Sequence, residues 1–305
     1  VDHRGAAKSF WILIFFDLEG FKKFEGLKTR REMNKNLFDL KSKVIAITGG
    51  TGVLGAEIAR SLIEAGAKVA LLDRNIDKAE ELKKKFQATE DNFLAVQTDV
   101  LNKEMIENSV QKIIEKFGKI DALINGAGGN SPGATTSADQ RFFDLPEEAL
   151  KFVFNLNILG TIIPSQIVGK HFAKRGEGII LNISSMNAFT PLTRIPAYSA
   201  AKAGVSNFTQ WLAVHMAQEY SSKIRVNAIA PGFFLTKQNE FLLIDKEKQE
   251  LTPRGQTIMS HIPMGSFGKP QQLTGAVQWL LSEAAEYVTG IVLPVDGGFS
   301  AFSGV

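Results

Sequence analysis

From Lys43 onward, short continuous apolar runs alternate with longer segments of helical period. Residues 44–48, 68–73, 93–98, 122–125, 178–184, 224–229 and 291–295 have strand length and little polar interruption. Between them, a Gly-rich turn leading into a helix to about residue 65, and segments 76–86, 103–117, 147–174, 198–220 and 271–281, predict helices. Strands that are apolar throughout and joined by helices imply a sheet buried on both faces. The predicted fold class is therefore α/β, a doubly wound parallel sheet in a single domain. No repeat or linker divides residues 43–305. Sheets of this kind bind ligands at the carboxyl ends of their strands, so the loops there are where chemistry is expected.

Residues 1–32 do not share this pattern. The run from Phe10 to Phe16 is apolar over seven residues, then Asp17, Glu19 and Lys22 follow. A membrane span needs roughly 20 apolar residues, so no membrane association is expected. No small-residue cleavage site follows, which argues against a signal peptide. Met33 stands just before the first regular element. Either Met33 is the natural start and residues 1–32 are a non-native extension, or they form an arm that packs its aromatics on the body or on a neighbouring subunit. Residues 33–305 are expected to fold and act as one catalytic domain without them.

Composition narrows the chemistry. There is no cysteine, which excludes disulfides, thiolate catalysis and Cys–zinc sites and is compatible with the cytoplasm. The net charge is +3, and residues 1–32, with seven Lys/Arg against five Asp/Glu, supply +2 of it. The rest is close to neutral with no basic stripe, so nucleic acid is not an expected partner. The histidines at 3, 171, 215 and 261 are scattered without ligand spacing, so no metal is expected.

The first strand runs into Gly50-Thr51-Gly52-Val53-Leu54-Gly55, a GxGxxG turn that opens a helix. Glycines allow a tight turn and close approach of the backbone to a pyrophosphate, and the helix N-terminus offers free N–H groups. Asp73 ends the second strand, 18 residues after Gly55. A carboxylate there accepts hydrogen bonds from ribose hydroxyls and repels a 2′-phosphate, which favours NAD over NADP, with Arg74 beside it to soften that preference. Alternatively Asp73 caps the turn at Arg74 and Asn75. Asp99 and Val100 follow the third strand, and Asn125-Gly126-Ala127-Gly128 follows the fourth, where small residues leave room for a flat cofactor.

Tyr198 and Lys202 are four residues apart on a predicted helix and share a face. Tyrosine, with a pKa of about 10, is a poor base at neutral pH. A cation about 4 Å away at an effective dielectric of about 20 is worth about 4 kcal/mol, which would lower that pKa by up to about three pH units. The phenol would then exchange a proton near neutrality, as general acid–base catalysis requires. Ser185 ends the fifth strand thirteen residues earlier, where its hydroxyl could hold a substrate oxygen against Tyr198. Asn157 is unfavourable in mid-helix, which invites either a functional reading or a structural hydrogen bond. Pro231-Gly232 follows the sixth strand, with Thr236 close behind.

In joint order and spacing, the Gly-rich turn from Gly49, Asp99, Asn125-x-Ala127-Gly128, Asn157, Ser185, Tyr198-x-x-x-Lys202, Pro231-Gly232-x-x-x-Thr236 and Asp296-Gly297-Gly298 resemble the short-chain dehydrogenase/reductase family over roughly residues 43–305. The resemblance implies a Rossmann fold, an NAD cofactor, a homotetramer and a catalytic tetrad. In that tetrad Tyr198 acts on the carbonyl or alcohol and Ser185 stabilises it. Lys202 binds ribose and lowers the tyrosine pKa, and Asn157 holds a proton-relay water. Two departures touch cofactor packing: Val53 stands where TGxxxGxG has a glycine, and Gly126 replaces the second Asn of Asn-Asn-Ala-Gly. Residues 185–192, Gly232-Phe233-Phe234, Gln238-Asn239 and the tail 298–305 are further similar to the bacterial D-mannonate oxidoreductase (fructuronate reductase) branch.

The expected reaction is hydride transfer between NAD(H) and a small polyhydroxylated keto-acid, D-fructuronate and D-mannonate first among them. The loop between Ser185 and Tyr198 must border the reacting carbon. It offers Asn187, Thr190 and Thr193 to hydroxyls and Arg194 to a carboxylate. Asn130, Gln238 and Asn239 are expected to open onto the same cleft, with Phe189, Phe233 and Phe234 as walls; alternatively these polar groups are solvated loop residues. Other readings are a reductase of 5-ketogluconate or a 3-oxoacyl thioester, or a nucleotide-binding sensor without catalysis. The apolar helix segment 208–216 and the Phe-containing tail are candidate contact surfaces between subunits, or core.

Overall fold

A computed structural model describes residues 36–236, 240–245, 247, 248 and 250–304. The expectations for residues 1–32, for Met33 and for Gln238 and Asn239 lie outside the described residues. Residues Phe38–Val305 group into one compact unit. Its centre is a sheet of seven parallel strands: β1 (Val44–Thr48), β2 (Lys68–Asp73), β3 (Phe93–Gln97), β4 (Ala122–Asn125), β5 (Gly178–Ile183), β6 (Ile224–Pro231) and β7 (Val292–Val295). Across the sheet the order is β3-β2-β1-β4-β5-β6, with β7 paired outside β6. The order reverses between β1 and β4, and a crevice opens at such a switch point.

Successive side chains of β1 point to opposite faces, and both faces are buried. Ile45 and Ile47 join one core with Ile58, Leu62, Ile124 and Leu280. Val44 and Ala46 join the other with Ile106, Leu123, Phe172 and Met216. That is why the strands read as unbroken apolar runs rather than alternating ones. The covering helices are α1 (Val53–Glu64), α2 (Ala79–Lys85), α3 (Lys103–Phe117), α4 (Glu147–Phe154), α5 (Gly160–Arg175), α6 (Pro196–Glu219), α7 (Pro253–Ser260) and α8 (Thr274–Leu281).

The predicted and observed elements differ in three places. The long helix expected over 147–174 is interrupted: residues Asn155–Leu159 form a π turn between α4 and α5. The helix around Tyr198 starts earlier, because Pro196 is pre-set for a first helical turn. After β6, residues 240–260 carry a short helical turn at Glu240–Leu243, a two-residue antiparallel pair and α7, none of which was predicted. These pieces are short and mostly polar, so they lack a periodic signature. Helical residues Glu147–Arg175 are long and apolar enough to cross a membrane. Val168 and Phe172 of that stretch are fully buried against the sheet.

Candidate active site

β1 ends at Thr48, and the chain turns through Gly49 at φ +67°, which glycine adopts without strain. A Cβ on Gly49 would lie 2.8 Å from the backbone of Ala127, and one on Gly126 would lie 2.7 Å from the Thr48 carbonyl oxygen. The loops after β1 and β4 therefore pack backbone on backbone, closer than the usual second Asn would permit. Thr48 Oγ1 pins them by accepting the N–H groups of Gly126 and Ala127 at 3.1 and 3.2 Å. Sequence reasoning missed Thr48, since a threonine ending a strand carries no signal of its own. A Cβ on Gly55 would lie 2.5 Å from the Gly49 oxygen. The departure at Val53 falls on the first residue of α1.

Gly52 caps α1 without a side chain, and no acidic residue occupies the first turn. The N–H groups there remain open to an anion, as a pyrophosphate site requires. Thr51 donates to Asp73 Oδ2 through its N–H at 3.1 Å and its hydroxyl at 2.7 Å. Asp73 Oδ1 receives only a long 3.4 Å bond from the Asn75 N–H. The carboxylate thus steadies the Gly-rich turn through Oδ2, and Oδ1 is the less engaged oxygen. Arg74 is exposed beside it. Asp99 Oδ1 accepts the Leu101 N–H at 2.9 Å.

Three of the residues expected at the cofactor turn their side chains inward. Leu54 packs against the core, and Val100 is buried with a methyl against Gly160. Asn125 Nδ2 donates to Ser165 Oγ at 2.9 Å and to Asn182 Oδ1 at 2.8 Å, and Asn182 passes the chain on to Thr209. A buried amide must find partners, and these lie within the sheet and its helices. Asn125 therefore ties α5 and the sheet beneath the site. Pro231 ends β6, and Gly232 backs onto Asp296, where a Cβ would lie 2.6 Å from the Asp296 Cα. The Thr236 carbonyl accepts the Glu240 N–H at 2.9 Å, which starts the 240–260 segment.

The reacting groups come together as expected. Ser185 follows β5 and begins a single turn of 3₁₀ helix, and its hydroxyl shares a hydrogen bond with Tyr198. Lys202, 4% exposed, sits one turn on from Tyr198. Its Nζ lies 5.6 Å from the Tyr198 ring centroid and donates to the Ile183 carbonyl at 2.7 Å. Ser184, also missed from sequence, locks α6 to the end of β5 through the Lys202 carbonyl at 3.1 Å and Ser206 Oγ at 2.7 Å. Asn157 occupies the middle of the π turn, a distortion that clusters at functional sites. Its Nδ2 donates to the Gly129 and Val153 carbonyls, both at 2.7 Å, and its Oδ1 accepts the Gly129 N–H at 3.1 Å. The Asn157 side chain thus holds the β4 loop against the π turn. A Cβ on Gly128 would lie 2.7 Å from Asn157 Oδ1 and 3.2 Å from Lys202 Nζ, so glycine is required there.

The electrostatics differ from the sequence expectation in one respect. Burial pushes the Tyr198 hydroxyl above its ordinary value, and the Ser185 hydrogen bond offsets only part of that. Burial also pulls Lys202 down to about 8. Desolvation disfavours both charged forms, and burial is the first cause of both shifts. At neutral pH the pair is a phenol beside an ammonium: a proton donor next to a group that stabilises the resulting phenolate.

Of the substrate candidates, Asn187 is 4% exposed, and its side chain makes no hydrogen bond among the described residues. Its N–H donates to Ser185 Oγ at 3.3 Å, so it stands beside the reacting groups. Arg194 is exposed on the same loop, whose backbone is fixed by the Thr136 N–H donating to the Arg194 carbonyl at 2.9 Å. Phe233 meets Phe299 edge to face at 5.3 Å and helps line a cavity of about 240 Å³ with Phe234, Met264 and Asp296. Asn130 is exposed, and its Nδ2 donates to Thr135 Oγ1 at 2.8 Å.

This arrangement can hold a carbonyl oxygen between Ser185 and Tyr198 and deliver a proton to it. The family model for short chain dehydrogenase matches residues 43–247. The chain belongs to the short-chain dehydrogenase/reductase family. It is an oxidoreductase of alcohol and carbonyl groups. The uncharacterized oxidoreductase UxuB of Bacillus subtilis is 46% identical over 276 residues, which cover 88% of this chain and 98% of that protein. The 2-dehydro-3-deoxy-D-gluconate 5-dehydrogenase of Dickeya dadantii is 35% identical over 267 residues, 87% of this chain and 98% of that protein. A Haemophilus influenza structure, provisionally named a D-mannonate oxidoreductase and solved with bound NAD, is 46% identical with a TM-score of 0.81. That match covers 88% of this chain and 98% of the other.

Proposed function

We propose that this dehydrogenase works with NAD(H) and interconverts a small polyhydroxylated keto-acid and its alcohol, D-fructuronate and D-mannonate being the first pair to test. The observation that carries the reading is the buried cluster of Ser185, Tyr198 and Lys202 at the strand ends, beside the uncapped N-terminus of α1. NADH, when bound, supplies a hydride to the carbonyl carbon. Ser185 holds the carbonyl oxygen, and Tyr198 gives that oxygen its proton. Lys202 stabilises the phenolate left behind and is placed to hold the ribose. Asn157 keeps the β4 loop in place. Asp73 Oδ1 is the ribose acceptor that favours NADH over NADPH.

Asn187 and Arg194 support a substrate with hydroxyls and a carboxylate. Two relatives bear sugar-acid names, which agrees with this. The name of the Dickeya dadantii enzyme also makes 2-dehydro-3-deoxy-D-gluconate chemistry a reading to compare. NADH oxidation is measured with D-fructuronate, D-tagaturonate, 5-ketogluconate, the diketo partner of 2-dehydro-3-deoxy-D-gluconate and an acetoacetyl thioester. The highest kcat/KM is expected for a sugar acid, and a thioester above every sugar acid overturns the reading. No turnover at all favours the sensor. NADH is expected to exceed NADPH in kcat/KM, with the preference lost in Asp73→Ala.

The protein is further proposed to be a cytoplasmic homotetramer. A concavity of about 1210 Å³ lies between α3, α5 and α6, away from the reacting groups. On α6 a ladder of Phe208, Trp211, His215 and Tyr220 crosses it, with Trp211 57% exposed. A large apolar patch of this kind marks an association surface, and a second copy of the same face would cover it.

A further inference from the structure

The Phe-containing tail reads from sequence as either core or subunit contact. In the structure Phe299 packs within its own chain. β7 ends at Val295, and the residues after it make a tight reversal. Asp296 closes that reversal: its Oδ1 accepts the Gly298 N–H and its Oδ2 the Ser300 N–H, both at 2.9 Å. Gly298 takes φ +88°, a conformation open to glycine, and Phe299–Ala301 follow as one turn of 3₁₀ helix. Asp296 is backed in turn by Gly232, where a Cβ would lie 2.6 Å from the Asp296 Cα.

The turn brings the Phe299 ring to two elements at once. It meets the Phe233 ring edge to face at 5.3 Å, an attractive geometry. It also packs on the small core of Leu243, Ile258 and Ile262, with the His261 ring tilted against it at 6.3 Å. Phe299 is therefore the joint between the loop after β6 and the unpredicted segment that contains α7. That loop adjoins the reacting groups. Ile183 of β5 pairs with Ile229 of β6, and the Ser184 N–H donates to the Ile229 carbonyl at 2.8 Å. The same register sets Ser185 opposite Pro231, and adjacent strands lie about 4.8 Å apart. Phe233, two residues beyond Pro231, thus leaves the sheet one strand over from Ser185. Phe233 also borders the cavity of about 240 Å³. A side chain with a cavity on one side is held by what packs on the other.

We propose that Phe299 is a positioning residue for the reaction: the C-terminal turn, closed by Asp296, holds Phe233 and the α7 segment in place as the wall on the substrate side of the site. The role rests on the oxidoreductase activity and holds for whichever carbonyl compound is the substrate. The Gly-rich turn follows β1, and β4 and β5 lie between β1 and β6 in the sheet. Loss of the joint is therefore felt by the substrate and not by the cofactor.

The test compares wild type with Phe299→Ala, Phe299→Tyr and Asp296→Asn in the full chain, on the best substrate of the carbonyl panel and well below the melting temperature. A displacement of about 1 Å at a reacting site costs up to about 10²-fold, so kcat/KM is expected to fall about 10- to 100-fold in Phe299→Ala. The NADH dissociation constant, read by fluorescence titration, is expected to stay within about twofold, because uniform loosening is not what the joint controls. Hydrogen exchange of the 252–262 amides is expected to quicken at least about fivefold while the β1 amides exchange as in wild type. Phe299→Tyr keeps the ring edge and is expected to recover most of the activity. Asp296→Asn keeps the shape but offers one acceptor oxygen for two N–H groups, so it is expected to shift in the same direction by less, and it carries the comparison if Phe299→Ala does not fold. A kcat/KM within about twofold of wild type despite faster exchange makes the joint purely structural and overturns the proposal. NADH affinity falling in parallel with kcat/KM overturns it as well. So does a smaller assembly by light scattering, which would assign the tail to a subunit contact. None of these outcomes alters which substrate of the panel is best, so the sugar-acid reading stands or falls separately.

Discussion

At the scale of single residues, the site is governed by desolvation as much as by charge. Tyr198 is raised by burial and Lys202 lowered to about 8 by the same cause. The ligand-free enzyme is thus set as a proton donor at neutral pH, which suits reduction. The expected pH profile follows. For carbonyl reduction kcat/KM stays level below about pH 8 and falls as Lys202 loses its proton above that value, because the phenolate formed in the transition state then lacks its cation. The sign for stability is opposite. A buried Lys202 with a depressed value costs stability fully below about pH 8, and that cost is relieved as pH rises toward the ordinary lysine range. Tyr198→Phe is expected to lower kcat by about 10²- to 10⁴-fold while NADH still quenches or shifts protein fluorescence as in wild type. A variant keeping more than about a tenth of the wild-type kcat would remove Tyr198 from the proton-donor role.

At the scale of elements, the β4 loop, the π turn and α6 form one unit. Asn157 holds Gly129 from both sides, and Gly128 leaves just enough space for Asn157 and Lys202. The methyl of Gly128→Ala would meet Asn157 Oδ1 at 2.7 Å, which is closer than non-bonded atoms allow. Either the loop lifts or Asn157 and Lys202 withdraw. A displacement of about 1 Å at catalytic groups costs up to about 10²-fold in rate. The expected result is a loss in kcat of at least about tenfold with the secondary structure unchanged by circular dichroism. A wild-type kcat would show that the loop absorbs the methyl and that the fit is not needed.

At the scale of the whole molecule, the sheet order creates the crevice, and the helices flanking it leave an aromatic face outside. The core does not need that face, since Met216 and Leu212 of α6 already fill the sheet side. Trp211→Glu places a charge on the ladder without touching the reacting groups. Light scattering after gel filtration is expected to show a smaller assembly than wild type. An unchanged mass would move the subunit contact elsewhere, and a wild-type monomer would end the tetramer proposal.

The sequence by itself determined the sheet, because two-sided burial writes each strand as an unbroken apolar run. It also determined the reacting groups and most of the glycine cradle, because close backbone approach and a shared helix face have fixed spacings that survive without coordinates. Tertiary structure decided what spacing does not carry. Asn125 has the residue type of a ligand contact, yet its amide is consumed by Ser165 and Asn182 from distant elements. Asn157, in the π turn, bonds to Gly129, 28 positions away, which no local pattern records. The direction of the Tyr198 shift depended on burial, which outweighed the charge that spacing alone suggested.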